Sequence, residues 1–257
     1  MFGGIAQLGE RMTGSHEVRS SILLVSTRKK DTTFVVSFCF GFGPAAGGKE
    51  GGETMTIRLE QEQDWREVEE LTREAFWNKY RPGCMEHYVL HGYRGRPEFV
   101  RELDCVAEED GRIVGHIMYS RARIEADDGR TVPIFIFGPV SVLPEKQGQG
   151  IGGRLIRHTL GLAEEMGCGA VAITGDPDYY HRFGFVSGSS LGIFYDGLPR
   201  EEEAPFFMVK ELKPDFLRGV TGVYRDPEGY LVDDAQVEAF DAGFPPREKQ
   251  KLPGQLV

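Results

Sequence analysis

The chain has 257 residues, a hydrophobic content of 40% and a formal net charge of −10 at pH 7. This acidity argues against general binding of nucleic acid through a basic surface. Four scattered cysteines do not form a disulfide framework, and no apolar stretch has the length of a transmembrane helix, so we expect a cytoplasmic protein that does not bind a membrane.

Residues 1–54 differ from the rest of the chain because they are rich in glycine. Residues 5–27 resemble a peptide translated from a tRNA gene. We therefore expect translation to begin at Met55 and residues 1–54 to be a mis-annotated or disordered extension. A rival interpretation is an export signal over residues 28–46, but it starts far from residue 1 and a glycine interrupts its apolar part.

Beyond this extension, the spacing of apolar residues predicts a helix followed by a hairpin. Apolar residues recur at helical spacing between Trp65 and Phe76, with Asp64 as a candidate N-cap. Two strand-like segments, Cys105–Glu108 and Arg112–Ile124, flank Asp110-Gly111. That dipeptide is typical of a tight hairpin turn.

The most informative segment, residues 134–185, is predicted to form a strand, a glycine-rich turn, a helix, a strand and an aromatic-rich short helix. Because glycines occur where the helix begins, several N–H groups lack intrahelical partners and form an anion site. The turn residues are Gln147, Gly148, Gln149, Gly150, Ile151, Gly152 and Gly153. We predict that this turn binds a phosphorylated ligand; the plain alternative is a glycine-rich connection in an α/β protein.

Two nucleotide-binding motifs compete for this turn. A phosphate loop ends in Gly-Lys-Ser/Thr, which is absent because Arg154 follows the last glycines. Gly148, Gly150 and Gly153 do satisfy the dinucleotide pattern G-x-G-x-x-G, with Asp176 about twenty residues later. However, residues 144–147 separate the strand from the glycines and only one β-α-β crossover is predicted, which disfavours a dinucleotide.

The run Gln147-x-x-Gly150-x-Gly152, preceded by Gly138–Val142 and followed by Tyr179–Phe185, resembles the GNAT N-acetyltransferase superfamily. The wording of these motifs is most similar to a bacterial branch of predicted acetyltransferases. The resemblance covers roughly residues 55–213. It implies an α/β fold in which a mixed, mostly antiparallel sheet has one β-α-β crossover and helices on both faces.

The resemblance also implies how acetyl-CoA binds. Backbone amides of residues 147–153 would hold its pyrophosphate, and its pantetheine arm would lie beside the preceding strand near Val140 and Val142. Pro139 lacks an N–H, which fits a strand that separates from its neighbour, although a proline on an edge strand is an equal alternative.

The resemblance assigns one catalytic residue, Tyr180, which matches the family tyrosine that donates a proton to the CoA sulfur. A phenol is protonated at neutral pH and can serve as an acid. No general base is evident. Asp176 either orients the acceptor amine or caps the next short helix, and Glu86, in a polar-aromatic stretch near the expected acceptor site, is a weak base candidate.

A metal site is an alternative use for Cys84, His87 and His91, with Cys105 as a fourth ligand. Closely spaced cysteine pairs are missing, and nothing in the sequence places Cys105 beside the other three. We therefore predict no metal.

We predict three regions: the extension at 1–54, an acetyltransferase domain at 55–213, and a C-terminal extension at 214–257 that packs on the domain and ends in solvent. Within the last region, residues 222–224 and 229–232 are predicted to pair as a hairpin and residues 233–240 to form a short helix.

The predicted activity is transfer of the acetyl group of acetyl-CoA to a primary amine of a small molecule or peptide, in a ternary complex. The alternative is a non-catalytic sensor that binds acyl-CoA. The expected partner is the amine acceptor, without nucleic acid or membrane, and a homodimer is left open.

Overall fold

The computed structural model describes residues 55–255, so the predictions for residues 1–54 lie outside the described residues. The strands are β1 Thr56–Leu59, β2 Cys105–Glu109, β3 Arg112–Ala126, β4 Thr131–Val142, β5 Ala170–Thr174, β6 Val186–Ser187, β7 Ile193–Tyr195, β8 Phe207–Glu211 and β9 Gly222–Tyr224. The α-helices are α1 Trp65–Phe76, α2 Glu86–Tyr93, α3 Ile151–Glu165, α4 Pro177–Tyr180 and α5 Asp234–Asp241. Short 3-10 helices cover Glu62–Asp64, Arg101–Leu103, Pro144–Lys146, His181–Phe183, Gly188–Leu191 and Glu228–Tyr230.

The strands form one mixed sheet in the order β1-β2-β3-β4-β5-β8-β6, with β9 bridging β3 and β7. The unit β4-α3-β5 is a parallel crossover, as predicted. A second parallel pair, β7 with β9, was not predicted. The other strand pairs in residues 55–255 are antiparallel, so the expected mixed α/β fold is confirmed.

The predicted hairpin between β2 and β3 is present. Asp110 and Gly111 have φ angles of 53° and 77°, and both left-handed residues are typical of a two-residue hairpin turn. α1 also agrees with its prediction, but its expected cap does not. The Asp64 carboxylate makes no capping bond to α1 and instead accepts hydrogen bonds from Arg58 and from the Gln61 N–H.

Helices cover both faces of the sheet, as expected. On one face, the Ser141 hydroxyl of β4 donates a hydrogen bond to the Thr72 hydroxyl of α1 at 2.9 Å. On the other, the hydroxyls of Tyr119 in β3 and Thr159 in α3 lie 3.0 Å apart. All four residues are fully buried, so the central strands lie in the core between α1 and α3.

The predicted hairpin in the C-terminal region is wrong. β9 pairs with β3 at Ile124–Ala126, a part of β3 that lies beyond the register of β2 and therefore has an open edge. The segment Glu228–Tyr230 is a 3-10 helix rather than a strand. The helix predicted at residues 233–240 is confirmed as α5, and its Asp233 cap accepts hydrogen bonds from the amides of residues 235 and 236.

The described helices do not reach the combination of length and hydropathy that crossing a membrane requires.

Candidate functional site: the edge where two parallel strands separate

β4 separates from β5 part-way along its length. The two strands pair at Phe135 and Ile136 of β4, whereas β4 continues to Val142. The second half of β4 therefore has one edge on β3 and the other edge released from β5. A released strand edge exposes N–H and C=O groups that can bond an extended ligand.

A bulge lies where β4 leaves β5. The register between β3 and β4 shifts between Ile117 and Tyr119, where β4 contains one additional residue around Gly138 and Pro139. The peptide bond between these two residues is cis. β4 pairs with β5 only at Phe135 and Ile136, so Pro139 lies in the part of β4 that has separated from β5 and pairs with β3 alone.

The glycine-rich turn ends in an uncapped helix N-terminus. Gly148 and Gly150 have φ angles of 77° and 84°, a left-handed conformation that glycine adopts without a Cβ penalty. α3 begins at Ile151, and among the described residues no side chain caps its first turn, which also lacks acidic residues. The amides of residues 151–153 thus face an electropositive opening without a competing carboxylate.

The glutamine side chains brace this turn. Gln147 Nε2 donates to the Val142 carbonyl at 3.0 Å, and Gln149 Nε2 donates to the Glu145 carbonyl at 3.1 Å. The side chains of Val140 and Val142 are fully buried in the core. A ligand at this edge would therefore meet mainly backbone groups of the predicted cofactor-binding residues.

Tyr180 lies next to the separated strand. Its ring centroid is 5.9 Å from Phe137, the residue before the bulge, and 6.1 Å from Phe185. Tyr179 packs edge-on at 5.0 Å, and all four rings are buried. The structure thus brings the aromatic end of the motif to the middle of β4 and fixes the orientation of the Tyr180 ring.

Asp176 caps α4. Its carboxylate accepts a hydrogen bond from the Asp178 amide at 3.0 Å, and burial raises the pKa of the carboxyl group. The capping interpretation is therefore present in the structure. Whether Asp176 also orients an amine stays a prediction.

Glu86 is the first residue of α2 and is 3% exposed. Its carboxylate accepts hydrogen bonds from the Met85 amide at 3.0 Å and from the Cys84 thiol at 3.2 Å, and burial raises its pKa. Both partners precede it in the same loop. These contacts do not connect Glu86 with Tyr180, so its role as a base rests on the sequence alone.

The four residues considered as metal ligands do not assemble. The Cys84 thiol donates a hydrogen bond to Glu86, and His91 Nδ1 lies 2.9 Å from a carboxylate oxygen of Glu69. Cys105 lies in β2. His87 lies between the rings of Phe240 and Phe244, 3.2 Å from a carboxylate oxygen of Asp241. Over residues 55–255, the one group with metal-ligand spacing consists of three other residues, Glu60, Asp104 and His116.

These three belong to a buried ion network that the sequence did not indicate. Arg94 donates to Glu60 at 2.6 Å and to Glu69 at 2.7 Å, while His116 Nε2 lies 2.8 Å from Asp104. Burial raises the pKa of Glu60 to about 7 and that of Asp104 to about 6, and lowers that of His116 to about 4. Because Arg94 already holds Glu60, the cluster is arranged as a hydrogen-bonded network rather than as an open cation site.

The sequence gives only a weak sign of this network, since His116 interrupts an apolar run in β3. Its partners lie far away along the chain, so no motif connects them.

Residues 56–187 match the family model described as an acetyltransferase (GNAT) domain, which is about half of the chain. The chain belongs to the GNAT superfamily. A protein of Escherichia coli strain K12 named as the uncharacterized N-acetyltransferase YjhQ is 32% identical over 130 residues, covering 51% of this chain and 68% of that protein. The expectation of an acyltransferase is thereby confirmed at the level of the family.

Two solved GNAT structures resemble this fold. YhbS of Escherichia coli, solved in complex with CoA, has a TM-score of 0.61 and 25% identity, covering 72% of this chain and 96% of that chain. A GNAT acetyltransferase of Brucella melitensis, solved with acetyl-CoA, has a TM-score of 0.56 and 30% identity, covering 70% of this chain and 99% of that chain.

Proposed function

We propose that this GNAT protein transfers the acetyl group of acetyl-CoA directly to a primary amine of a small molecule or peptide. One observation carries the proposal: β4 leaves β5 between Tyr180 and the uncapped start of α3. An acyl donor with a diphosphate at one end and a thioester at the other matches this arrangement in both charge and shape.

The donor would be held mainly by the backbone. The amides at the start of α3 carry partial positive charge and suit the diphosphate. The released edge of β4 suits the amide-containing arm of the donor, which would pair as an added strand. The CoA and acetyl-CoA complexes of the two similar GNAT structures support this assignment.

In the proposed reaction, the amine nitrogen attacks the thioester carbonyl carbon, and the carbon–sulfur bond breaks as the amide forms. Tyr180 gives its hydroxyl proton to the departing thiolate, yielding the free CoA thiol. The amine loses one proton, to water or to a carboxylate such as Asp176, and Tyr180 is reprotonated from solvent. Holding both reactants in one complex supplies the rest of the acceleration.

The variant Tyr180→Phe tests the acid role. Because the ring is retained, we expect acetyl-CoA affinity to stay within about twofold while kcat falls by about 10²- to 10⁴-fold. Binding is measured by calorimetry and turnover by release of the CoA thiol across a panel of amines. The matched control is Tyr179→Phe, a buried neighbour in the same helix, which should retain kcat.

An unchanged kcat in Tyr180→Phe would remove the acid role. Binding of acetyl-CoA by the wild-type protein without thiol release on any amine would favour the sensor instead of the enzyme.

A further inference from the structure

The C-terminal region contacts β4, the strand proposed to pair with the acyl donor, at its bulge. The Tyr230 hydroxyl donates a hydrogen bond to the carbonyl oxygen of Gly138 at 3.0 Å, across 92 residues of sequence. Both groups are buried. Gly138 lies where β4 has just lost its pairing with β5, so this hydrogen bond satisfies a carbonyl at the start of the released edge.

Two anchors on the preceding segment fix the position of Tyr230. β9 pairs with β3 and β7, which ties the chain to the sheet up to Tyr224. Immediately afterwards the Asp226 carboxylate accepts hydrogen bonds from the hydroxyls of Tyr195 and Tyr224, the latter at 3.0 Å. The 3-10 helix containing Tyr230 therefore starts from a rigid point.

α2 fixes the orientation of the Tyr230 ring. The Tyr93 ring packs against it with centroids 4.9 Å apart. Gly229 lies so close to Tyr93 that a Cβ at residue 229 would come within 2.4 Å of that ring. Because its ring packs against Tyr93 of α2 and its hydroxyl bonds Gly138 of β4, Tyr230 connects α2 with β4.

We propose that Tyr230 is a positioning residue for the acyl donor. Its hydrogen bond to Gly138 holds the released half of β4 at the separation from β5 that an inserted donor arm requires. The proposal rests on the proposed function, because it assumes that the donor pairs with this edge. Without the Tyr230 hydroxyl, the buried Gly138 carbonyl would lose this hydrogen bond and the released edge of β4 would become less ordered.

The variant Tyr230→Phe removes this hydroxyl and keeps the ring. We expect its Kd for acetyl-CoA to rise about 3- to 10-fold, with a fall in kcat and an unchanged KM for the amine. Amide hydrogen exchange of the ligand-free protein should accelerate in the peptide covering residues 137–143. The matched control is Tyr224→Phe, which removes an equally buried hydroxyl whose 3.0 Å hydrogen bond goes to Asp226 rather than to β4. In this variant Asp226 keeps its hydrogen bond from Tyr195, and β9 keeps its pairing with β3 and β7, so Tyr230 stays anchored.

We expect Tyr224→Phe to lower the melting temperature as Tyr230→Phe does, but to leave acetyl-CoA affinity and β4 exchange as in the wild type. Equal effects of the two variants on affinity and exchange, or none from Tyr230→Phe, would overturn the proposal. Failure of the wild-type protein to bind acetyl-CoA would instead contradict the proposed function. The exchange measurement needs no ligand, so it still decides whether Tyr230 orders β4.

Discussion

The region proposed to hold the acyl donor, called the donor edge below, and the buried ion network around Arg94 are built from different chemical groups. The donor edge consists of backbone groups, glycines and aromatic rings within residues 135–185, and it is free of acidic side chains in the first turn of α3. The network around Arg94 consists of ionisable side chains contributed by α1, by β3 and by the loops next to α2, β1 and β2. Arg94 and Glu60 are only 4% and 0% exposed in their side chains.

This difference in composition corresponds to a difference in role: the donor edge is suited to binding a ligand, and the ion network is suited to stabilising the fold. Backbone amides at a helix start need no partner within the protein and can serve a ligand. Buried charges must be paired within the protein, because an unpaired buried charge is costly. We therefore expect changes in the network to alter stability without altering donor affinity, and changes at the donor edge to lower affinity. Arg94→Met and Gly150→Ala test this division, and His87→Leu tests a buried ionisable group outside both regions. They follow from the largest expected effect to the smallest.

Arg94→Met should lower the free energy of unfolding by about 3–5 kcal/mol, because it leaves the buried Glu60 without its cation and Glu69 with His91 in place of the arginine. Urea unfolding measures this, and calorimetry on the folded fraction should give an unchanged Kd for acetyl-CoA. The control is Arg218→Met, which removes the exposed ion pair with Asp215 and should cost less than about 1 kcal/mol. A loss from Arg94→Met as small as that of the control would contradict the structural role of the network.

His87 should make the protein sensitive to acid. Burial lowers the pKa of His87 from 6.5 to about 4, because it outweighs the opposing effect of the nearby Asp241 carboxylate, and Arg73 adds to the decrease. Between these pH values the unfolded state binds a proton at His87 that the folded state does not bind. The free energy of unfolding therefore falls as pH drops from about 6.5 to about 4. This contribution is about 2–3 kcal/mol. It should be missing in His87→Leu, as judged by urea unfolding at several pH values.

The control for this experiment is His158→Gln, which changes an exposed histidine on α3 and should leave the wild-type pH dependence intact. Parallel stability curves for His87→Leu and the wild type would refute the assignment. The raised pKa values of Glu60 and Asp104 act in the opposite direction, because their contribution to stability is lost as pH rises toward about 7. They are common to all three proteins and cancel in the comparison.

Gly150→Ala should produce the smallest change in stability and a clear change in binding. An added Cβ at residue 150 meets no atom of residues 55–255 within 4 Å, so the cost is the left-handed φ of 84°, about 1–2 kcal/mol. We expect acetyl-CoA affinity to fall about tenfold as the turn relaxes. Gly161→Ala is the matched control, since that Cβ also meets open space but at an ordinary helical position in α3. Gly161→Ala should stabilise the protein by roughly 0.5–1 kcal/mol and bind acetyl-CoA with the wild-type Kd. A wild-type Kd in Gly150→Ala would contradict the role of this turn in donor binding.

The sequence predicted the parts whose signals are local. The glycines of the turn, the helical spacing of α3 and the Asp110-Gly111 hairpin each act within a few residues. They also led to the correct superfamily. The short helix predicted at residues 233–240 belongs to the same class.

The parts that escaped prediction depend on distant residues. The ion pair of Arg73 with Asp241 spans 168 residues, and the bond from Tyr230 to Gly138 spans 92, so neither leaves a pattern in any window of sequence. The error at β9 has the same origin. Residues 222–232 have the composition of a hairpin, but the open edge of β3 is a property of the folded sheet.

The terminal segment, expected to lie in solvent, is exposed but also hydrogen-bonded to the loop after α1. Asn78 Nδ2 and Trp77 Nε1 both donate to the Glu248 carbonyl. This loop follows the helix that packs under β4.

The reach of Tyr230 back to Gly138 also sets an order of events during protein synthesis. The ribosome adds about 5–20 residues per second, so roughly 5–20 s pass between the appearance of the bulge in β4 and the appearance of the tyrosine that bonds it. The nascent chain therefore carries a motif that is complete in sequence while one contact of the folded strand is still missing. The hydrogen bond from Tyr230 to Gly138 is therefore one of the later contacts that β4 can form during synthesis.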